Sequence, residues 1–189
     1  EVKKSLDSLK NCQSYEIIFV DDGSTDQSWE VEKSLTKDQN SNIRAIRLKK
    51  NFGKATALNV GFKNAKKDII ITLDADLQDD PKEIYKLIEK INEGYDIVSG
   101  WKKNRKDPIS KKIPSKIFNK VTRIISGIKL NDFNCGFKAY KRKIFNYLDL
   151  YGDLHRYIPI FAFNLGYSIT EVQIDHRKRK FGSSKYGIS

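Results

Sequence analysis

Residues 68–81 read "DIIITLDADLQDDP". An unbroken apolar run, Ile69 to Leu73, has the length of a strand and none of the alternation of a half-solvated one, so it predicts a strand buried on both faces of a parallel sheet. Asp74 and Asp76 stand where that strand runs out. Residues i and i+2 of an extended chain point the same way, which aims both carboxylates at the carboxyl edge of the sheet. In open α/β sheets that edge is where ligands bind. Two converging carboxylates repel each other unless a cation joins them, and hard oxygens with open coordination suit Mg²⁺ or Mn²⁺, ions that also grip phosphate. Asp79 and Asp80 read differently, as solvated carboxylates before a helix that Pro81 opens.

The pattern on either side agrees. "EIIFVD" (16–21) and "NIRAIRL" (42–48) read as strands, with an amphipathic stretch through Trp29, Val31 and Leu35 between them. "GKATALNVGFKNAK" (53–66) and "DPKEIYKLIEKINEG" (80–94) read as helices, the second with Ile84, Leu87, Ile88 and Ile91 on one stripe and Gly94 as its stop. "YDIVSG" (95–100) is another strand. Strands alternating with helices predict βαβ units, hence an α/β fold with a mainly parallel central sheet flanked by helices. Beyond Gly100 come a basic loop, a helix with apolar positions 117, 118, 121, 124, 125 and 128, a strand from "NDFNCGFKAY" (131–140), a helix through Ile144, Tyr147 and Leu148, an apolar helix over 155–167 broken near Pro159, and a strand over 168–176. The 189 residues suffice for one domain with a sizeable core. We expect a single domain over 1–189.

No run reaches the roughly 18 apolar residues of a membrane span, and no leader peptide is visible. Cys12 and Cys135 match no zinc spacing and read as reduced thiols. His155 and His176 lack metal partners at helical spacing. The net charge of +12 argues for an anionic partner. A nucleic-acid-binding module is the competing class that this charge suggests; against it, and for a reading without nucleic acid, stands the lack of aromatic RNA-binding motifs, zinc spacing or a helix-turn-helix signal. Nine of the residues between 102 and 123 are Lys or Arg against one acid, Asp107, which reads either as a surface for an anionic bilayer or as a solvated basic loop over an ordinary core helix.

Three further segments could hold a ligand. "VDDGSTD" (20–26) places Asp21 and Asp22 after a buried strand, suited to a ribose hydroxyl or base N–H, or simply to a turn. "NFGKATALNVG" (51–61) lacks Walker spacing; Lys54 near the helix start either contacts phosphate or is solvated. "HRKRKFGSSKY" (176–186) combines cations, Gly182 and hydroxyls, the parts for closing a loop over a diphosphate.

In this order, "VDDGSTD", "NFGKATALNVGF", "LDADLQDDP", "NCGFKAY" and "RKFGSSKYG" resemble the family 2 glycosyltransferases. The branch they look most like is the polyprenyl-phosphate glycosyltransferases, similar to dolichol-phosphate mannose synthase and the bacterial undecaprenyl-phosphate glucosyltransferases. The resemblance implies a GT-A (Rossmann-like) fold, a nucleotide-sugar donor, a divalent metal, and inverting transfer to a polyprenyl phosphate at the cytoplasmic face of a membrane. By motif, Asp21, Asp22, Lys54, Asp74, Ala75 and Asp76 would bind the nucleotide sugar. Asp74 and Asp76, with Gln78 as a further ligand, would hold the metal. Asp132 and Asp76 would act at the reacting centre, and Arg177, Arg179, Ser183 and Lys185 would meet donor or acceptor phosphate. UDP-glucose is the first expectation for the donor and GDP-mannose the second. The alternative is a family 2 transferase acting on a saccharide or other hydroxyl in cell-envelope polysaccharide synthesis. The family's usual first strand and C-terminal membrane helices have no counterpart here, so the chain reads as the soluble catalytic part of a longer protein.

Overall fold

The computed structural model describes residues 1–9, 12, 14–37, 42–103, 109–148, 150 and 154–177. Strand β1 (Ile17–Asp21) and strand β2 (Ile43–Arg47) pair in parallel, Ile17 opposite Ile43 and Asp21 opposite Arg47. Parallel neighbours need a crossover, and helix α2 (Ser28–Leu35) supplies it. Its first turn is held by Asp26, which accepts from the Ser28 N–H at 2.9 Å. Before β1, where the sequence pattern suggests no element, a short helix α1 (Val2–Asp7) packs Leu6 against the main core.

A second sheet has the order β3–β5–β4–β6, from β3 (Ile69–Thr72), β4 (Ile97–Trp101), β5 (Lys138–Lys141) and β6 (Ile169–Gln173). β5 runs antiparallel to both β3 and β4, and β6 runs parallel to β4. Three of the four strands therefore share one direction, with β5 reversed between two of them. The two central strands, β5 and β4, are the most buried, and in β4 Ile97 and Val98 are sealed from solvent. The expectation that 68–74 is buried on both faces needs correction: every residue of β3 is only half-buried. Among the described residues β3 is hydrogen-bonded along one edge only, so its apolar run does not mark a strand flanked on both sides.

Helix α3 (Lys54–Asn64) sends Phe62 into one core, stacked on Phe145 at 3.7 Å between centroids and edge-on to Tyr140 at 5.6 Å. Helix α4 (Ile84–Asn92) follows a short 3₁₀ turn and buries Ile84, Leu87 and Ile91 against Val98, Phe137, Ala139 and Ile174. Its start matches the sequence reading: Asp80 accepts from the Lys82 N–H at 3.0 Å and Pro81 opens the turn. Gly94 closes it at φ 112°, in the left-handed region that suits glycine. Two expected helices are shorter than read. Residues 142–146 form a 3₁₀ turn, leaving Tyr147 exposed. The 155–167 stretch divides into a 3₁₀ turn (Leu154–Tyr157) and helix α6 (Ile158–Asn164). Pro159 lies in the first turn of α6, where its missing N–H has no partner to lose, so it starts the helix and does not break it.

Helix α5 spans Ile109–Ser126. The sequence leaves two readings of this segment open, a partly apolar surface or an ordinary core helix under a basic loop; Ile117, Val121, Ile124 and Ile125 are exposed while Asn119 and Thr122 are buried.

The start of the β4–β6 ladder is clamped by Asp96. Its Oδ2 accepts from the Ser168 N–H at 3.0 Å and the Ser168 hydroxyl at 2.9 Å, and its Oδ1 meets Lys141 at 3.1 Å and Lys143 at 3.3 Å. Burial alone would raise this carboxyl; the Ser168 donors and the two ammonium groups outweigh it and hold the pKa at about 2, against an ordinary 3.8. Because the folded value lies below the unfolded one, the stabilisation is complete above about pH 4 and lost as pH falls toward 2. Asp96→Asn is expected to cost about 1–2 kcal/mol at neutral pH and to flatten the acid limb of the stability–pH curve, read by urea melts from pH 7 to pH 3.

Candidate functional site

Three pieces of chain meet beyond the carboxyl end of β3. The strand delivers Asp74, the first turn of α3 delivers Lys54, and the loop before β5 delivers Asn134 and Gly136. Lys54 Nζ donates to Asp74 Oδ1 at 2.6 Å and Oδ2 at 2.9 Å. Burial would raise the Asp74 carboxyl, but the charge and hydrogen bond of Lys54, with Lys102 and Lys138 behind, hold it below the usual carboxylate value. Gly136 lets the carboxylate sit there. A Cβ on Gly136 would lie 2.7 Å from Asp74 Oδ2 and 3.0 Å from Cγ, closer than real carbon contacts allow.

The loop around Gly136 is fastened from below. Thr72 donates its hydroxyl to the Gly136 carbonyl at 2.7 Å. Lys138, fully buried, donates to the carbonyls of Phe133 (3.0 Å) and Cys135; burial lowers its pKa. Cys135 is likewise buried, its thiol pushed up to about 12, so it stays protonated and inert. Both cysteines are free thiols.

Asp132 opens this loop from a buried position, with Oδ1 accepting from the Asn134 N–H at 3.1 Å. Its carboxylate shapes the loop that reaches the cavity. The cavity itself is lined by Lys54, Thr72, Asn134, Gly136, His155 and Arg156. His155 and Arg156 had no sequence signal as site residues; a 3₁₀ turn far along the chain brings them to the Lys54 side.

Past Asp74 the chain turns tightly. Ala75 is exposed, and Asp76 Oδ1 accepts from the Gln78 N–H at 3.1 Å. Leu77 sits at φ 61°, a left-handed conformation unusual for a residue with a side chain. Strain of that kind gathers at ligand-binding turns. Residues 176 and 177 bracket the turn: Arg177 N–H donates to the Gln78 carbonyl at 2.8 Å, and His176 forms a β-bridge with Asp79. The Arg177 guanidinium pairs with Glu1 at 2.8 Å and with Asp80. Arg179, Ser183 and Lys185 lie outside the described residues.

The reading of Asp79 as a solvated carboxylate is overturned. Its side chain is fully buried and paired with Lys102 at 2.6 Å, itself only 10% exposed. One cation of the basic segment is thus an internal anchor beneath the acidic turn.

Asp21 and Asp22 are already engaged. Asp21 accepts from the Ser24 N–H at 2.7 Å and faces Arg47 at 3.5 Å. Asp22 accepts from the N–H groups of Phe52 (2.8 Å) and Gly53 (3.0 Å), which positions the first turn of α3 and so Lys54. Gly23, directly after Asp22, stands at φ 71°, and a Cβ there would meet the Lys50 carbonyl carbon at 2.3 Å.

Among the described residues no group of three or more His, Cys, Asp or Glu is placed to hold a metal alone. Asp74 and Asp76 still fit a hard divalent cation, because Mg²⁺ sites commonly use one or two carboxylates and take their remaining oxygens from substrate phosphate and water.

A mainly one-way sheet with carboxylates at its carboxyl edge is the architecture of the GT-A glycosyltransferases. Glucosyl-3-phosphoglycerate synthase from Mycobacterium tuberculosis, solved with Mn²⁺, UDP and phosphoglyceric acid, superimposes with a TM-score of 0.70 at 20% identity, over 95% of this chain and 66% of that one. Its complex with Mn²⁺, UDP-glucose and phosphoglyceric acid gives 0.68 at 20% identity, over the same shares. At these identities the likeness is one of fold.

The chain belongs to glycosyl transferase family 2, whose family model matches residues 1–148. An undecaprenyl-phosphate 4-deoxy-4-formamido-L-arabinose transferase of Yersinia pestis (strain Pestoides F) is 39% identical over 176 residues, 93% of this chain and 54% of the relative. The protein of that name from Aeromonas hydrophila is 37% identical over the same shares. The chain spans about half the length of the curated relatives it matches.

Gly136→Ala forces a methyl group into the Asp74 carboxylate, and overpacking of this kind costs about 1–3 kcal/mol. In an Asp74→Ala background the struck atoms are gone, so the same substitution is expected to cost measurably less in urea melts. Equal costs in the two backgrounds would remove Asp74 from the account of Gly136.

Proposed function

We propose that this chain is the catalytic part of an inverting glycosyltransferase that moves one sugar from a nucleoside-diphosphate sugar to a polyprenyl phosphate. The observation that carries the reading is the Asp74 carboxylate, held at the carboxyl end of β3 between Lys54 and Gly136 with Asp76 on the following turn. The names of the relatives support the acceptor class and make 4-deoxy-4-formamido-L-arabinose the first sugar to test, ahead of UDP-glucose and GDP-mannose as donors.

In this scheme Asp74 and Asp76, with Gln78 beside them, would hold Mg²⁺ or Mn²⁺, which would supply positive charge to a departing diphosphate. Lys54, already at the Asp74 carboxylate, adds a fixed ammonium to the same region. An oxygen of the acceptor phosphate attacks the anomeric carbon; the bond from that carbon to the donor diphosphate breaks, and the nucleoside diphosphate leaves with the electron pair. The attacking oxygen is anionic near neutral pH, so no strong general base is required. Asp132 orients acceptor or donor sugar through the loop it orders, and Arg156 and Arg177 flank the site as cations for phosphate; the resemblance assigns Arg179, Ser183 and Lys185, outside the described residues, to the same phosphates. Asp21 and Asp22 border the nucleoside; each carboxylate oxygen has a second lone pair, so a ribose hydroxyl can be accepted without releasing the backbone donors.

A thermal-shift panel tests the donor: a ligand present at 100 times its Kd stabilises the folded state by about 2.7 kcal/mol. We expect stabilisation by a nucleotide sugar together with Mn²⁺ or Mg²⁺, and its loss in Asp74→Asn and Asp76→Asn. Turnover with undecaprenyl phosphate is expected to release nucleoside diphosphate and to fall at least tenfold in Asp132→Asn. Release of pyrophosphate would identify a nucleotidyltransferase instead, and full turnover by Asp132→Asn would remove that residue from the mechanism.

A further inference from the structure

The 131–136 loop has neither helix nor strand of its own. Side chains of the surrounding elements hold its backbone instead. Asn119 of α5 takes the Phe133 N–H, Lys138 of β5 donates to the carbonyls of Phe133 and Cys135, and Thr72 of β3 donates to the Gly136 carbonyl. The entrance to the loop is held from the other two strands of the sheet. Ser99 of β4 and Glu171 of β6 are register partners across the parallel β4–β6 pair. The buried Ser99 hydroxyl donates to the Asp132 carbonyl at 3.2 Å. Glu171 Oε2 accepts from the Asn131 N–H at 2.7 Å, and its Oε1 accepts from the Asn131 side-chain amide. The oxygen of that amide accepts in turn from Arg123 at 3.1 Å.

Both Glu171 oxygens are thus bonded to one residue, through its main chain and its side chain. Hydrogen bonds to an ionised acceptor are shorter and stronger than neutral ones. Only a carboxylate satisfies both donors at once, since an amide in its place would turn one NH₂ group toward another. The next residue is Asp132, only 3% exposed, whose Oδ1 takes the Asn134 N–H and shapes the turn that ends at Gly136 against Asp74. Glu171 carries no motif, and its place in β6 sets it outside the acidic strand ends that mark the site in the sequence.

We propose that Glu171 is a positioning residue for sugar transfer: it grips Asn131 so that Asp132 and the 132–136 backbone stay in place beside the Asp74 carboxylate. It acts through Asn131. What the loop does for catalysis rests on the transferase reading; how the loop is held rests on the hydrogen bonds alone.

The contact has a polarity, and exchanging that polarity tests the proposal. Glu171→Gln sets two amide NH₂ groups against each other, and Asn131→Asp sets two carboxylates against each other. With both substitutions the backbone N–H keeps its acceptor, the side-chain bond returns with donor and acceptor exchanged, and Arg123 still meets a carboxylate oxygen. Assayed with UDP-4-deoxy-4-formamido-L-arabinose and undecaprenyl phosphate, each single substitution is expected to lower kcat about tenfold or more with the donor KM within about twofold, and the double variant to recover kcat to within about threefold of wild type. Amide hydrogen exchange of residues 131–136 needs no substrate, and it is expected to quicken about tenfold in Glu171→Gln and to slow again in the double variant, with β4 unchanged.

A kcat loss that the double variant fails to recover would overturn the proposal, and so would wild-type kcat in Glu171→Gln. Collapse of overall stability in Glu171→Gln, read by urea melts, would make Glu171 a residue of the fold at large and overturn it too. Should the wild-type chain transfer no sugar, the transferase reading falls, and hydrogen exchange then judges the hold on the loop by itself: unchanged protection of residues 131–136 in Glu171→Gln removes Glu171 from it.

Discussion

The site rests on one close approach: the Asp74 carboxylate lying against the Cα of Gly136 while Lys54 holds both its oxygens. A carboxylate beyond the end of an apolar strand, half out of water, is costly unless a cation stays with it. Lys54 meets that need from a different element, and it can do so only if the chain before α3 is placed to within an ångström. Asp22 does that placing, by accepting from Phe52 and Gly53 N–H, and Gly23 makes room for the 50–51 backbone beside it. The two acidic motifs, with Asp22 and Asp74 52 positions apart in the chain, are therefore one mechanical unit. The first sets the helix whose lysine neutralises the second.

The opposite wall is built with the same economy of charge. Lys138 ties the carbonyls of the 133–135 turn from inside the core, and Asp132 takes the Asn134 N–H. Lys102 reaches under the acidic turn to Asp79. Each of these ions is buried, and each has its counter-charge or backbone dipoles within hydrogen-bond reach. The result is a rim of paired charges and fastened carbonyls beside the Asp74 carboxylate.

Local pattern carried the fold a long way. The strands at 17–21, 43–47, 69–72 and 97–101, the Asp80–Pro81 start and Gly94 stop of α4, and the acidic strand end were legible because each depends on neighbours in sequence: turn chemistry, a cap, a period of two or 3.6. What was not legible depends on partners far away. Asp79 looks like its neighbour Asp80 until Lys102 is folded onto it. His155 and Arg156 carry no motif, and only the 3₁₀ turn before α6 brings them to the cavity. The reversal of β5 between β3 and β4 follows from long-range pairing that no local signal encodes.

Helix α5 shows the limit of periodicity most plainly. A hydrophobic stripe at helical spacing says that one face differs from the other; it does not say which face is inside. The usual inference, apolar face inward, assumes that water is the only other solvent. Here the inward neighbours are backbone N–H groups of the 131–134 turn, which need hydrogen-bond acceptors and find one in Asn119. Once that polar demand fixes the rotation of the helix, the isoleucines have only the outside to face. The 131–136 loop thus determines the helix's inner surface, and its isoleucines are left on the outer one.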